Sequence, residues 1–372
     1  MTTIDGRDVV TGRAVRVTLT DGRIDSVELL ATREGLPLIS PGLIDLQING
    51  YGGIDLNSES LTVAELVEID QRLKAVGTAA WGPTVITGSR EKVATILGVL
   101  RDAVAAHREL GMLPFVHLEG PYLSPEDGPR GAHDLVQIRD IDLVEIVRWH
   151  RIFPIGYLTL SPHWPGTPEK IAAIRRLGIR VAIGHTHADA AQVAGASVAG
   201  ATLSTHLGNG ASPMLPRHPN LVWEQIQDVS LDAGIIADGH HLPAAVVETI
   251  VRAKGRDHVY LVSDSVTLAG STPGSYMTPI GGRVVLEPSG RLHLAGDPRL
   301  LAGSAVCLAD CLRFLDRETT ISRSDAFYLA TVTPGRIAAD ILGVPRLGWL
   351  EPGSRGVVVE WSDGLEVTRT WG

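Results

Sequence analysis

Five ionisable residues stand directly behind apolar, strand-like runs: Glu119 in VHLEGP, His185 in AIGHTH, His206 in LSTHLGN, His241 in IADGHH and Asp264 in LVSDS. Burying such a group without a partner costs roughly several kcal/mol, so five equivalent placements ask for one cause. A lone histidine there is ordinarily a hydrogen-bonded core residue, and a lone acid half of an ion pair. A divalent metal explains the set as a whole. One carboxylate, two imidazoles and a water form a standard catalytic zinc arrangement, in which the water's pKa falls to about 7. Glu119, His185 and His206 are the expected ligands, and Asp264 the expected general base toward water and acid toward the leaving amine.

Such convergence needs a scaffold that gathers strand ends around one mouth. The runs LISPGLIDLQI, TAAWGPTVI, LPFVHLEG, PIGYLTLSP, IRVAIGHTH, ATLSTHLGN, AGIIADGHH and HVYLVSDS number eight, and amphipathic stretches such as SLTVAELVEIDQRLKAVG and LPAAVVETIVRAKG lie between many of them. Eight βα units close a barrel more naturally than they fill an open sheet. The expected fold class is therefore α/β, a (β/α)₈ TIM-type barrel over residues 41–345 with its site at the C-terminal strand ends. Short β-branched runs at both chain ends, one broken by the Asp21-Gly22 turn signal, predict a small β-sandwich built from residues 1–40 and 346–372. The segment GGRVVLEPSGRLHLAGD reads as an inserted hairpin, followed by helical stretches around 304–317 and 323–341.

At 372 residues, 44% hydrophobic and 20% charged, the chain has the composition of a globular protein with a sizeable core. Its net charge of -9 offers no broad positive field for nucleic acid or anionic membranes. The N-terminus MTTIDGRDVV lacks signal-peptide features, and no apolar run reaches the roughly 18 residues of a membrane span; a cytoplasmic location is expected. Cys307 and Cys311, four residues apart in a helical pattern, read as reduced core cysteines.

The segments PGLIDLQINGYGG, HLEGPYLSPEDGPRGAHD, IGHTHA, STHLGNG, ADGHH, LVSDSVTLAG and LLAGSA resemble, in order and rough spacing, the motif series of the N-acetylglucosamine-6-phosphate deacetylases of the amidohydrolase superfamily. The resemblance runs from about Pro41 to Pro334. It implies hydrolysis of the acetamide of N-acetylglucosamine-6-phosphate, or a close relative, to the amino-sugar phosphate and acetate in amino-sugar catabolism. Its metal ligands match Glu119, His185 and His206, and its acid/base aspartate matches Asp264. It further implies substrate contacts at Ala132, His133, Asn209, Gly210, Arg217, His241, Leu301, Ala302 and Gly303. A hydrogen bond from His133 to the acetyl carbonyl would stabilise the developing oxyanion. It also implies a homodimer in which the phosphate clamp is completed across the interface, with Arg217 and His241 as its candidates here.

Two departures from other amidohydrolases shape the cofactor expectation. The first strand carries Gln47 and Asn49 where many have His-x-His, and the fourth ends LTLSPHW without a lysine to bridge two metals. Neutral amides are poor zinc ligands, so one divalent ion per chain is expected; zinc leads, and iron, manganese or cobalt also suit the donor set. His163, where many relatives have an acid, and the proline-rich loop ASPMLPRHPNLVWEQ predict a reshaped pocket. The competing readings are an amidohydrolase for another N-acyl or cyclic amide, against which the missing His-x-His counts, and a non-catalytic barrel, against which the retained ligands count.

Overall fold

The computed structural model describes residues 1–31, 34–278 and 281–372. Among them, eight parallel strands follow one another in chain order around a barrel: Leu43–Ile48, Thr78–Ile86, Val116–Glu119, Ile155–Leu160, Arg180–Ile183, Leu203–Ser204, Asp232–Ile235 and Val259–Leu261. The seam between the first and eighth is closed by an isolated bridge rather than a ladder of pairs. Asn49 N donates to Ser265 O at 2.8 Å, a parallel bridge joins Ile48 to Ser265, and the buried Asp45 carboxylate accepts from Ser263 N at 3.2 Å. Burial pushes Asp45 up to about 7.

Strand alternation decides what enters the barrel. Phe115, Tyr157, Leu203 and Tyr260 share one core with Ile44 and Leu46, and Ile337 and Ala338 of the last helix, Arg323–Leu342, pack into it. Moving two residues at a time along the third and eighth strands, Phe115 leads through His117 to Glu119, and Tyr260 through Val262 to Asp264. The strands' other faces join the larger core beneath the surrounding helices. The first of these, Val63–Ala75, is closed at its start by a capping box between Thr62 and Glu65 and buries Leu66, Ile69 and Leu73, the spacing of one helical face.

Both chain ends contribute to one six-stranded sheet, in the order Val367–Trp371, Val358–Trp361, Leu38–Pro41, Thr2–Asp8, Ala14–Thr20 and Arg23–Leu29. The run LISPGLIDLQI thus divides at Gly42 between this sheet and the barrel. Asp21 and Gly22, at φ 49° and 70°, make the tight turn with two left-handed residues that their types favour. The sheet curls until Arg23 bridges to Arg355, enclosing Ile4, Val17, Ile24, Ile39 and Val358. The inserted hairpin is the middle of a larger unit, a four-stranded antiparallel sheet of Gly274–Thr278, Gly282–Leu286, Leu292–Leu294 and Asp297–Leu301. Cys307 and Cys311 are free and buried, at the start of the helix Leu308–Glu318. Among the described residues, no helix is long and apolar enough to cross a membrane.

Candidate active site

Glu119 reaches the barrel mouth by strand alternation alone, but His185 and His206 do not. In the fifth and sixth strands the inward positions are Gly184, where a Cβ would meet Thr159 and Thr205 side-chain atoms at 2.9 and 2.8 Å, and Thr205, bonded to Thr159 at 2.7 Å. The next residue should face outward. Left-handed backbone at His185 (φ 47°) and His206 (φ 30°) redirects both imidazoles to the mouth, and Asp264 has φ 50°. Each such conformation costs about 1–3 kcal/mol and is typical of functional sites.

The result is a tight donor cluster. His206 Nε2 lies 3.1 Å from Glu119 Oε1 and 2.9 Å from His185 Nε2, and His185 Nε2 lies 3.2 Å from Glu119 Oε1. His185 Nδ1 sits 2.8 Å from the Pro129 carbonyl; a carbonyl only accepts, so Nδ1 carries a hydrogen. An outer partner that fixes a ring in this way is characteristic of metal-binding histidines. The three ligand atoms all lie within 4.8 Å of one another, and their N, N and O chemistry suits a divalent first-row ion. The residues therefore fit a metal. Burial would raise the Glu119 pKa, but hydrogen bonds from His185 and His206 hold it well below the usual range. Burial would lower His206, and Glu119 outweighs it, leaving it raised.

Gln47 and Asn49 are committed elsewhere. Gln47 Nε2 donates to Glu119 Oε1 at 3.2 Å and to Asp264 Oδ1 at 3.0 Å, and Asn49 Nδ2 donates to Asp264 Oδ1 at 2.7 Å. Burial first, then the Glu119 charge, pushes Asp264 up to about 6. His133 packs edge-on against His185, their Nε2 atoms 3.3 Å apart; burial, reinforced by His185, pushes its pKa down to about 3, so the ring is neutral near pH 7.

A cavity of about 390 Å³ opens over this cluster, lined by Ala132, His133, Asn209, Gly210, His241, Asp264, Leu301, Ala302 and Gly303 together with the three clustered ligands. The inserted sheet supplies Thr278, Leu292 and Leu301 to its wall. Arg217 is not brought in: it is exposed on its loop and lies outside the lining. His163 also stands aside, bonded to Ser161 at 2.6 Å and packed against Trp164 and His187. Sequence reasoning missed Asp238, whose Oδ2 lies 2.7 Å from His241 Nδ1 and whose Oδ1 accepts from the backbone N–H of His240 and His241. Its place just ahead of the GHH pair was the available signal. It also missed Thr87, whose Oγ1 is 2.9 Å from His133 Nδ1 and which nothing in ITGS marks out.

A (β/α)₈ barrel that gathers one carboxylate, two imidazoles and a further aspartate at its mouth defines a hydrolase of the amidohydrolase class. No protein-family model matches the chain. It is 31% identical over 331 residues to an N-acetylgalactosamine-6-phosphate deacetylase of Shewanella sp. (strain ANA-3), covering 89% of this chain and 80% of that one. It is 30% identical to the N-acetylglucosamine-6-phosphate deacetylase of Bos taurus, covering 90% and 82%. The structure of N-acetyl-D-glucosamine-6-phosphate deacetylase from Mycobacterium smegmatis superposes with a TM-score of 0.87 at 25% identity, covering 100% of this chain and 98% of that one. The chain belongs to the family of N-acetylglucosamine- and N-acetylgalactosamine-6-phosphate deacetylases, within the amidohydrolase superfamily.

Proposed function

We infer that this chain hydrolyses the acetamide of an N-acetylhexosamine 6-phosphate, N-acetylglucosamine-6-phosphate or its galacto epimer, to acetate and the amino-sugar phosphate. The observation that carries this reading is the convergence of Glu119, His185 and His206 beside Asp264 in one cavity, in a chain whose relatives bear deacetylase names. Glu119, His185 and His206 would hold one divalent ion, zinc being the first choice. Bound there, it supplies Lewis acidity to the attacking water and to the amide carbonyl.

The chain's own residues do the rest. His133 donates from Nε2 to the carbonyl oxygen as negative charge builds on it. Asp264 takes a proton from the attacking water and passes it to the amide nitrogen as the C–N bond breaks, so that a neutral amine leaves. Ala132, Asn209, Gly210, His241 and the 301–303 segment shape the sugar site, with Asp238 holding the His241 ring by its Nδ1. Arg217 completes a phosphate clamp from a neighbouring subunit of a homodimer. Residues 1–40 and 346–372 serve as an accessory β-domain to the barrel of 41–345, and the enzyme works in the cytoplasm.

The test is acetate release from a panel of N-acetylglucosamine and N-acetylgalactosamine, each with and without the 6-phosphate. Turnover restricted to the phosphorylated sugars is expected. Preference for an N-acyl amino acid or a cyclic amide, or no turnover by metal-loaded protein, would overturn the reading.

A further inference from the structure

We propose that Thr87 is a positioning residue for the reaction: its hydroxyl donates to His133 Nδ1 and thereby holds the imidazole as the tautomer whose Nε2–H faces the substrate carbonyl. The inference rests on the reading of His133 as the carbonyl's hydrogen-bond donor.

His133 Nε2 points to the donor cluster, 3.3 Å from His185 Nε2. A lone pair at His133 Nε2 would repel an incoming carbonyl oxygen, whereas a hydrogen there suits it. A neutral imidazole has one N–H, so His133 Nδ1 is then the acceptor. Thr87 Oγ1 stands 2.9 Å from Nδ1, and a hydroxyl is free to turn its hydrogen toward it.

The space for this bond is built into the fold. Thr87 directly follows the second barrel strand, Thr78–Ile86, and both it and His133 are buried. Gly120, next to the ligand Glu119, has φ 96°, and a Cβ at that position would come 2.2 Å from Thr87 Oγ1. The glycine of HLEGP thus leaves room for the hydroxyl between the second and third strand ends.

The experiment compares Thr87→Val, Thr87→Ser, His133→Ala and the Thr87→Val/His133→Ala double variant as metal-loaded, full-length proteins, with both N-acetylhexosamine 6-phosphates as substrates. Thr87→Val should lose about tenfold in kcat, the size of one neutral hydrogen bond, with KM and metal content near wild type. Thr87→Ser should restore most of the rate, and Thr87→Val should add nothing in the His133→Ala background. Full activity of Thr87→Val, or the same loss whether or not His133 is present, overturns the proposal while His133→Ala still tests the parent reading; a fully active His133→Ala sinks that reading instead. Independently of turnover, ¹⁵N spectra of the zinc-loaded protein should show His133 with hydrogen on Nε2 and a hydrogen-bonded lone pair on Nδ1, the latter altered in Thr87→Val. Hydrogen on Nδ1 in the wild-type protein overturns the proposal.

Discussion

Gln47 Nε2 donates to Asp264 Oδ1 at 3.0 Å, tying the first barrel strand to the residue that follows the eighth. Asn49 adds a second donor to the same oxygen at 2.7 Å. With Oδ1 held by two amides, Oδ2 is the oxygen left to move a proton. Asp264→Asn, which cannot accept a proton from water, should keep the metal and the fold but lose roughly 10²–10⁴-fold in kcat. Near-native turnover would reassign Asp264 to a structural role.

The same contacts set a pH dependence. Burial and then Glu119 push Asp264 up to about 6, and the base works only when ionised, so kcat/KM should fall as pH drops through about 6. Donors to a carboxylate favour its charged form. Removing one with Gln47→Leu should therefore raise the Asp264 pKa further and carry the acid limb to higher pH. A limb that stays in place, measured over pH 5–8, would mean that another group controls it.

His206 contributes one of three converging donor atoms, and three protein ligands are the usual minimum for a catalytic zinc site. His206→Ala should lose both bound metal and activity, while the wild-type protein carries about one ion per chain. Elemental analysis of both proteins checks this. Two ions per chain in the wild type, or full activity after complete chelation, would contradict the single-ion site.

The barrel was legible because each strand is an apolar run ending in a polar or ionisable residue, and Glu119 and Asp264 were legible because alternation along Phe115–His117–Glu119 and Tyr260–Val262–Asp264 carries them inward. His185 and His206 were legible by residue type but not by direction, since alternation would turn both outward and only their left-handed backbone brings them in. Helices such as Ala190–Val198 carry too little charge to show two faces, unlike Val63–Ala75. The inserted sheet was half visible. Its inner hairpin sets two short apolar runs, VVL and LHL, on either side of the turn-forming PSG, whereas Gly274–Thr278 and Asp297–Leu301 acquire strand character only by pairing with it. Thr87 and Asp238 act through other side chains, and such relationships lie in tertiary contacts rather than in local pattern.

Asp45 offers a stability test separate from catalysis. Burial raises its pKa in the folded chain from 3.8 to about 7, so between these values the folded state holds a proton that the unfolded state has released. Its contribution to stability is present at low pH and is lost as pH rises through about 7. The slope across that window is at most about 1.4 kcal/mol per pH unit. Asp45→Asn keeps an oxygen to accept from Ser263 N but cannot ionise, so its stability relative to wild type should improve from pH 5 to pH 8. Denaturant midpoints for both proteins at the two pH values decide it, and a constant difference would show that Asp45 does not titrate in this range.

Arg217 is exposed and outside the cavity lining, whereas His241 lines the cavity with its Nδ1 bound to Asp238. In the reading proposed above, a second subunit carries this arginine to the bound phosphate, where its guanidinium can make paired, charge-assisted hydrogen bonds. Arg217→Met should therefore raise KM for the phosphorylated sugar by roughly tenfold or more, equivalent to about 1.4 kcal/mol, and barely alter any weak activity on the unphosphorylated sugar. Sedimentation of wild type and variant should report the same dimer, since the substitution removes a substrate contact rather than the interface. Equal losses on both sugars would assign Arg217 to folding or assembly, and a fully active monomer would remove the contribution from the second subunit.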